Sequence, residues 1–127
     1  MELKEIATAL VEGCRAGPKE VRKNLDRLYA EDAVSVEAAD MNGQGRETHG
    51  LSAIHGKHDW WEQNMEEHKT EVTGPFYFGD EQFSVMFEVD ATDKNSGDRF
   101  QMQEIGVYHV ANGKITREEF HYDVKMG

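Results

Sequence analysis

The apolar positions of this chain change period about halfway along. In the first half they recur at steps of three and four. Ile6, Ala9, Leu10 and Gly13 precede a Gly17-Pro18 stop; Val21, Leu25, Leu28, Tyr29 and Asp32 form a second stripe; Leu51, Ile54, His58, Trp61 and Met65 form a third. That spacing predicts three amphipathic helices, the second with its Lys and Arg residues opposite the stripe. Between the second and third, residues 33–37 read as a short strand, and the polar, glycine-rich stretch 38–50 as a loop with a short strand at 46–49. From 76 to 122 the period falls to two, which predicts four antiparallel strands.

Those strands can be set in register. Asn112-Gly113, between two alternating runs, is a strong two-residue hairpin signal. A loop of that length pairs Val110 with Ile115, Tyr108 with Arg117, Gly106 with Glu119 and Glu104 with His121. If the loops around Asn95-Ser96 and Asp80-Glu81 are also even, Phe83, Val85, Phe87 and Val89 share a face with Met102, Glu104, Tyr108, Val110, Ile115 and His121. Arg117 and Glu119 follow on the same face. An apolar face that carries a carboxylate beside an imidazole is expected to line a ligand pocket. The opposite face holds Met86, Ile105, Val107, Phe120 and Tyr122 among Gln101, Gln103, Thr116 and Glu118. That surface is too apolar for water, so it is expected to bury in a two-fold homodimer.

Charge and composition narrow the partners. The 127 residues bound one domain, 1–127, and carry a net charge of -11 with no basic cluster. Nucleic acid and anionic membrane surfaces would be repelled. The single cysteine, Cys14, has no internal partner, and the first apolar run is interrupted by acidic residues. A soluble, cytoplasmic protein is the expectation. No Gly-x-Ser-x-Gly elbow or phosphate-binding glycine loop is present, and no cofactor is expected.

Helix, helix, strand, loop, helix and then four antiparallel strands is an α+β order, with helices packed on one sheet face. Three strings in this order, LYAEDAVSVE (28–37), GLSAIHGKHDWW (50–61) and GVYHVANGKITREEFHY (106–122), resemble the SnoaL-like members of the NTF2-like superfamily. The resemblance implies a cone in which three N-terminal helices pack on a strongly curved, mixed but mainly antiparallel sheet around an internal pocket. It leaves activity open, because the superfamily includes ketosteroid isomerases, polyketide cyclases, dehydratases, hydrolases and proteins that only bind. Laid against the ketosteroid isomerases, AEDAVSVE puts Glu37 where they keep a catalytic aspartate base. The first helix, EIATALVEGC, has no tyrosine to match their oxyanion donor, so steroid isomerisation itself is not implied.

The candidate catalytic residues are therefore Glu37, as a base, and the Glu104–His121 pair, whose opposed side chains could exchange a hydrogen bond. A strand-end glutamate and a structural polar pair are the plainer alternatives. Tyr29, His58, Trp61, Phe87, Met102, Tyr108 and Arg117 are the expected pocket lining, with Asp32 facing the sheet as a structural cap and 38–50 as a flap at the mouth. His55, His58, Asp59 and Glu62 lack the paired spacing of a metal site, and none is expected. Two functions stand. One is a cofactor-independent acid/base enzyme, of isomerase, cyclase or dehydratase type, on a small apolar or aromatic carbonyl compound. The other is a non-catalytic small-ligand-binding or dimeric interaction module on the same fold.

Overall fold

The computed structural model describes residues 1–40 and 43–123. Helices α1 (Leu3–Ala16) and α2 (Pro18–Leu28) are followed by strands β1 (Tyr29–Val36) and β2 (Glu47–His49) and helix α3 (Leu51–Asn64). Strands β3 (Met65–Phe78), β4 (Gln82–Asp93), β5 (Arg99–Ala111) and β6 (Lys114–His121) complete the fold. Among the described residues the strands form one six-stranded sheet in the order β2-β1-β6-β5-β4-β3. Strand β1 runs parallel to β6 and every other pairing is antiparallel. No helix among the described residues is long and apolar enough to cross a membrane.

The helices bury the faces their periodicity marks. Ile6, Leu10, Leu25, Leu28 and Ile54 meet Phe83, Val85 and Ile115 in a core where each is at most 5% exposed. Proline at its first position starts α2, and a positive φ at Gly17 turns the chain between α1 and α2. The β4–β5 register is as expected, with Phe83 opposite Tyr108, Val85 opposite Gly106, Phe87 opposite Glu104 and Val89 opposite Met102.

Four expectations are corrected. The second helix stops at Leu28, so Tyr29 and Asp32 belong to β1, and Asp32 is exposed instead of facing the sheet. Met65 opens β3 directly after α3, well ahead of residue 76. The β3–β4 loop spans 79–81, an odd length, because Phe78 pairs with Gln82.

The fourth correction reshapes the site. Asn112 and Gly113 take positive φ, as a two-residue turn requires, and Val110 does pair with Ile115. A β-bulge then follows: His109 pairs with Arg117, leaving Thr116 as the extra residue, whose hydroxyl donates to the His109 carbonyl at 3.4 Å. Beyond it every partner moves by one, to Tyr108–Glu118, Gly106–Phe120 and Ile105–His121. An unbulged β6 would have driven Arg117 and Glu119 into the apolar interior, an arrangement far costlier than one irregular ladder step. With the bulge, Glu118, Phe120 and Tyr122 face inward, while Arg117, Glu119 and His121 face out.

Candidate functional site

The concave sheet face and the overhanging helices enclose a half-open cavity of about 1480 Å³. Its roof is α3. The Gly50 N–H bonds the Ala33 carbonyl at 2.8 Å, and Gly50 takes a positive φ, which fixes where α3 leaves β1. Buried Ile54 anchors the helix, and Lys57, His58 and Trp61, on the same face, hang over the cavity. On the outer side Arg22 of α2 clamps α3 by donating to the His55 carbonyl at 3.2 Å and to Asp59.

The floor is a connected polar chain. Glu118 is 3% exposed and accepts hydrogen bonds from the Tyr29 hydroxyl at Oε1 and from Ser35 Oγ, 2.6 Å from Oε2. Lys57 Nζ donates to Ser35 Oγ at 2.7 Å and pairs with Glu37 Oε1 at 2.5 Å. The Tyr122 hydroxyl donates to the other Glu37 oxygen at 3.0 Å. One ammonium thus links a carboxylate near the mouth to a carboxylate at the base.

Glu104 stands apart from that chain. It projects inward from β5 and makes no side-chain hydrogen bond among the described residues. Burial, reinforced by the nearby charges of Glu37 and Glu118, pushes its pKa up to about 8. At neutral pH it is a carboxylic acid, able to donate. Glu118 is also raised, mainly by burial. Burial raises Tyr108 well above the ordinary phenol value, so it stays protonated, and its ring stacks on Phe83 at 4.9 Å. The His58 imidazole is pushed down to about 4, first by burial and then by Arg22 and Lys57, and is neutral. Burial lifts the Cys14 thiol to about 12, which removes it as a nucleophile.

Glu37, Glu104, Tyr29, His58, Trp61, Phe87, Met102 and Tyr108 all border this one cavity. Two expected site residues do not. Through the bulge, His121 lies exposed opposite Ile105, so the Glu104–His121 pair does not form. Arg117 lies outside too, 3.6 Å from Glu119 Oε2, and Glu119 Oε1 accepts from His109 at 2.6 Å. His55, Asp59 and Glu62 face Arg22 while His58 turns to the cavity, so the four do not converge.

The sequence reading missed Lys57, Ser35, Glu118, Phe120 and Tyr122. Lys57 was within reach, three residues beyond Ile54 on the α3 stripe. The β6 residues were hidden by the bulge. Of the 38–50 segment, residues 41 and 42 lie outside the described ones. Arg46 of that segment is tied to Glu37, whose backbone N–H bonds the Arg46 carbonyl at 2.8 Å and whose carbonyl accepts from Arg46 Nε at 2.9 Å.

A curved mixed sheet roofed by three helices around an ionisable cavity defines an α+β protein of the NTF2-like cone class. The chain belongs to the SnoaL-like domain family, whose model matches residues 4–122. It is similar to a Mesorhizobium loti protein classed by resemblance as a SnoaL-like polyketide cyclase, at 37% identity and a TM-score of 0.87, over 96% of this chain and 100% of that one. An NTF2-like protein of unknown function from Burkholderia pseudomallei aligns at 16% identity and a TM-score of 0.74, over 94% of this chain and 89% of that one. A protein of ketosteroid isomerase-like fold from Catenulispora acidiphila, in complex with trimethylamine, aligns at 20% identity and a TM-score of 0.72, over 94% and 86%. At these identities the last two share the fold and nothing finer. Among proteins of curated function none matches the chain.

Proposed function

We propose that the protein is a cofactor-independent acid/base enzyme that moves a proton on a small carbonyl compound held in the cone. The observation that carries this reading is a division of labour between two carboxyl groups in one cavity. Glu37 is ion-paired to Lys57 at 2.5 Å and is the charged partner, the candidate base. Glu104 lacks a compensating hydrogen bond, has its pKa pushed up to about 8, and is the acid. A carboxylate held in an ion pair beside a carboxyl whose pKa burial raises assigns the two roles. Glu37 would take a proton from the carbon beside the carbonyl while Glu104, or the Tyr108 hydroxyl, donates a hydrogen bond to the oxygen as negative charge develops there. Isomerisation, cyclisation and dehydration share that step, and the SnoaL-like membership fits it.

One observation favours the second reading, a pocket that only binds. Both Glu37 oxygens are occupied, by Lys57 and by Tyr122, so the base must give up a partner to act.

Deuterium exchange separates the two. A panel of small ketones and β-dicarbonyl compounds is incubated with the protein in D2O, and loss of the α-proton signals is followed by NMR. Catalysis predicts exchange above the buffer rate for part of the panel, falling at least ~100-fold in Glu37→Gln. Exchange at the buffer rate throughout, or unchanged in Glu37→Gln, leaves the binding reading.

The outer sheet face is proposed to carry a homodimer. It retains Met86, Ile105 and Val107 after the bulge turns Phe120 and Tyr122 inward, and the β3 register adds exposed Phe76 and Phe78 on the same side.

A further inference from the structure

The cavity has a charge character that the acid/base reading does not use. Its lining holds nine carboxyl side chains against two basic ones, Arg46 and Lys57, although Glu62 is paired with Arg22 on the outer side and Glu104 keeps its proton at neutral pH. Both cations are already engaged, Arg46 on the Glu37 carbonyl and Lys57 between Glu37 and Ser35. His58 adds no charge, since its imidazole stays neutral down to about pH 4. An entering carboxylate would therefore meet like charge along the wall with no free cation to receive it.

The apolar part of the lining is built to take a cation. Trp61 and Phe100 pack edge to face, their centroids 6.4 Å apart, and both rings border the cavity. Phe87, Tyr108 and Phe120 add further rings. The Lys57 ammonium lies 5.5 Å from the Phe120 centroid, so a cation already occupies an aromatic face inside this space.

Two polar side chains of the lining have no protein partner among the described residues. Tyr108 is 3% exposed as a residue and borders the cavity, and its hydroxyl, without a protein hydrogen-bond partner among the described residues, opens into that space, since no buried side-chain polar atom there is left unpartnered. The room it occupies exists because residue 106 is glycine, as a Cβ there would lie 3.0 Å from the Tyr108 hydroxyl. Glu104, two residues earlier on the same face of β5, is likewise unpartnered. Both carry a proton at neutral pH, so towards a cation Tyr108 offers the lone pairs of its oxygen, and Glu104 becomes an acceptor by giving up its proton.

We propose that the compound this cavity takes is cationic, an amine or quaternary ammonium group on an apolar body about the size of one aromatic ring. The proposal rests on the reading that the cone holds a small molecule, but not on any turnover. Glu104 is faced by Glu37 just after β1, Lys57 from α3, Glu118 from β6 and Tyr122 just after it, and a bound cation would draw off its proton.

The test is calorimetric titration of the intact protein at pH 7 with three probes of one shape: benzyltrimethylammonium, benzyl alcohol and phenylacetate. The expected order is the cation tightest, by about tenfold over the alcohol, with phenylacetate weakest and the cation's advantage shrinking in high salt. Glu104→Gln, checked for folding by circular dichroism, is expected to reduce most of that advantage while leaving the alcohol within about twofold. In wild type, titrations in two buffers of different ionisation enthalpy should reveal proton release on cation binding. Equal affinity for cation and alcohol, tighter binding of phenylacetate, or no binding by any probe at millimolar concentration overturns the proposal. Failure of the ketone exchange with the cation order intact would remove only the catalytic reading.

Discussion

His58 is a base that the fold keeps uncharged. Burial, with two cations nearby, pushes its pKa down to about 4, below the ordinary 6.5 of an exposed imidazole. The unfolded chain therefore binds a proton that the native state refuses, and native stability falls as pH drops from about 6.5 toward 4. His58→Leu abolishes that particular slope. Urea titrations at pH 7 and pH 4.5 should show wild type losing about 2 kcal/mol more than the variant between the two. Equal losses would place the imidazole in water. Glu104 has the opposite sign: its raised pKa makes the native state the proton-rich one between about 4.5 and about 8, so its contribution declines as pH rises through that window.

At the scale of elements, the junction of α1 and α2 depends on a missing side chain. Asn24 of α2 is 6% exposed and donates to the Ala9 carbonyl at 2.9 Å, and a Cβ on Gly13 would overlap its Nδ2. Gly13→Ala gains about 1 kcal/mol of helix propensity, yet it strands a buried amide whose lost bond costs about 1–3 kcal/mol. Net destabilisation of about 1 kcal/mol is expected in urea unfolding, and a more stable variant would mean Asn24 can relocate freely. Sequence periodicity read this junction as two helices broken at Gly17-Pro18, and it read the β4–β5 face correctly because Phe83, Val85, Phe87 and Val89 alternate without interruption. It failed at β6, where Ile115 falls on one parity while Phe120 and Tyr122 fall on the other. That switch, with Arg117, Glu119 and His121 on the Ile115 parity, was the visible trace of a bulge, because a straight strand would bury three ionisable side chains. The parallel β1–β6 pairing and the early start of β3 left no such local trace. Both depend on contacts between distant segments. For the site, Glu37 and the apolar lining were legible, while the Glu118 floor was not.

For the whole molecule, the outer sheet face is the proposed dimer interface. Phe76, Phe78 and Ile105 are 48%, 54% and 44% exposed, a density of large apolar groups that water tolerates poorly. We expect a dimer at tens of micromolar, roughly where a modest hydrophobic interface holds, by light scattering, and a monomer for Ile105→Glu with its circular dichroism unchanged. A monomeric wild type at that concentration would refute assembly through this face. Inside the cone, the same molecule concentrates negative charge around one ammonium, and the two faces can be tested independently because they are separated by the sheet.

The proposed chemistry turns on one proton, the one Glu104 keeps at neutral pH beside the Glu37–Lys57 pair. Carbon-13 NMR of glutamate-labelled protein measures it directly, following the side-chain carboxyl resonances from pH 4 to pH 10 with Glu104→Gln to assign the signal. One carboxyl that titrates near pH 8 and vanishes in the variant is the predicted result. A Glu104 resonance that titrates in the ordinary range around pH 4.3 would contradict the acid role, and with it the division of labour on which the proposed chemistry stands.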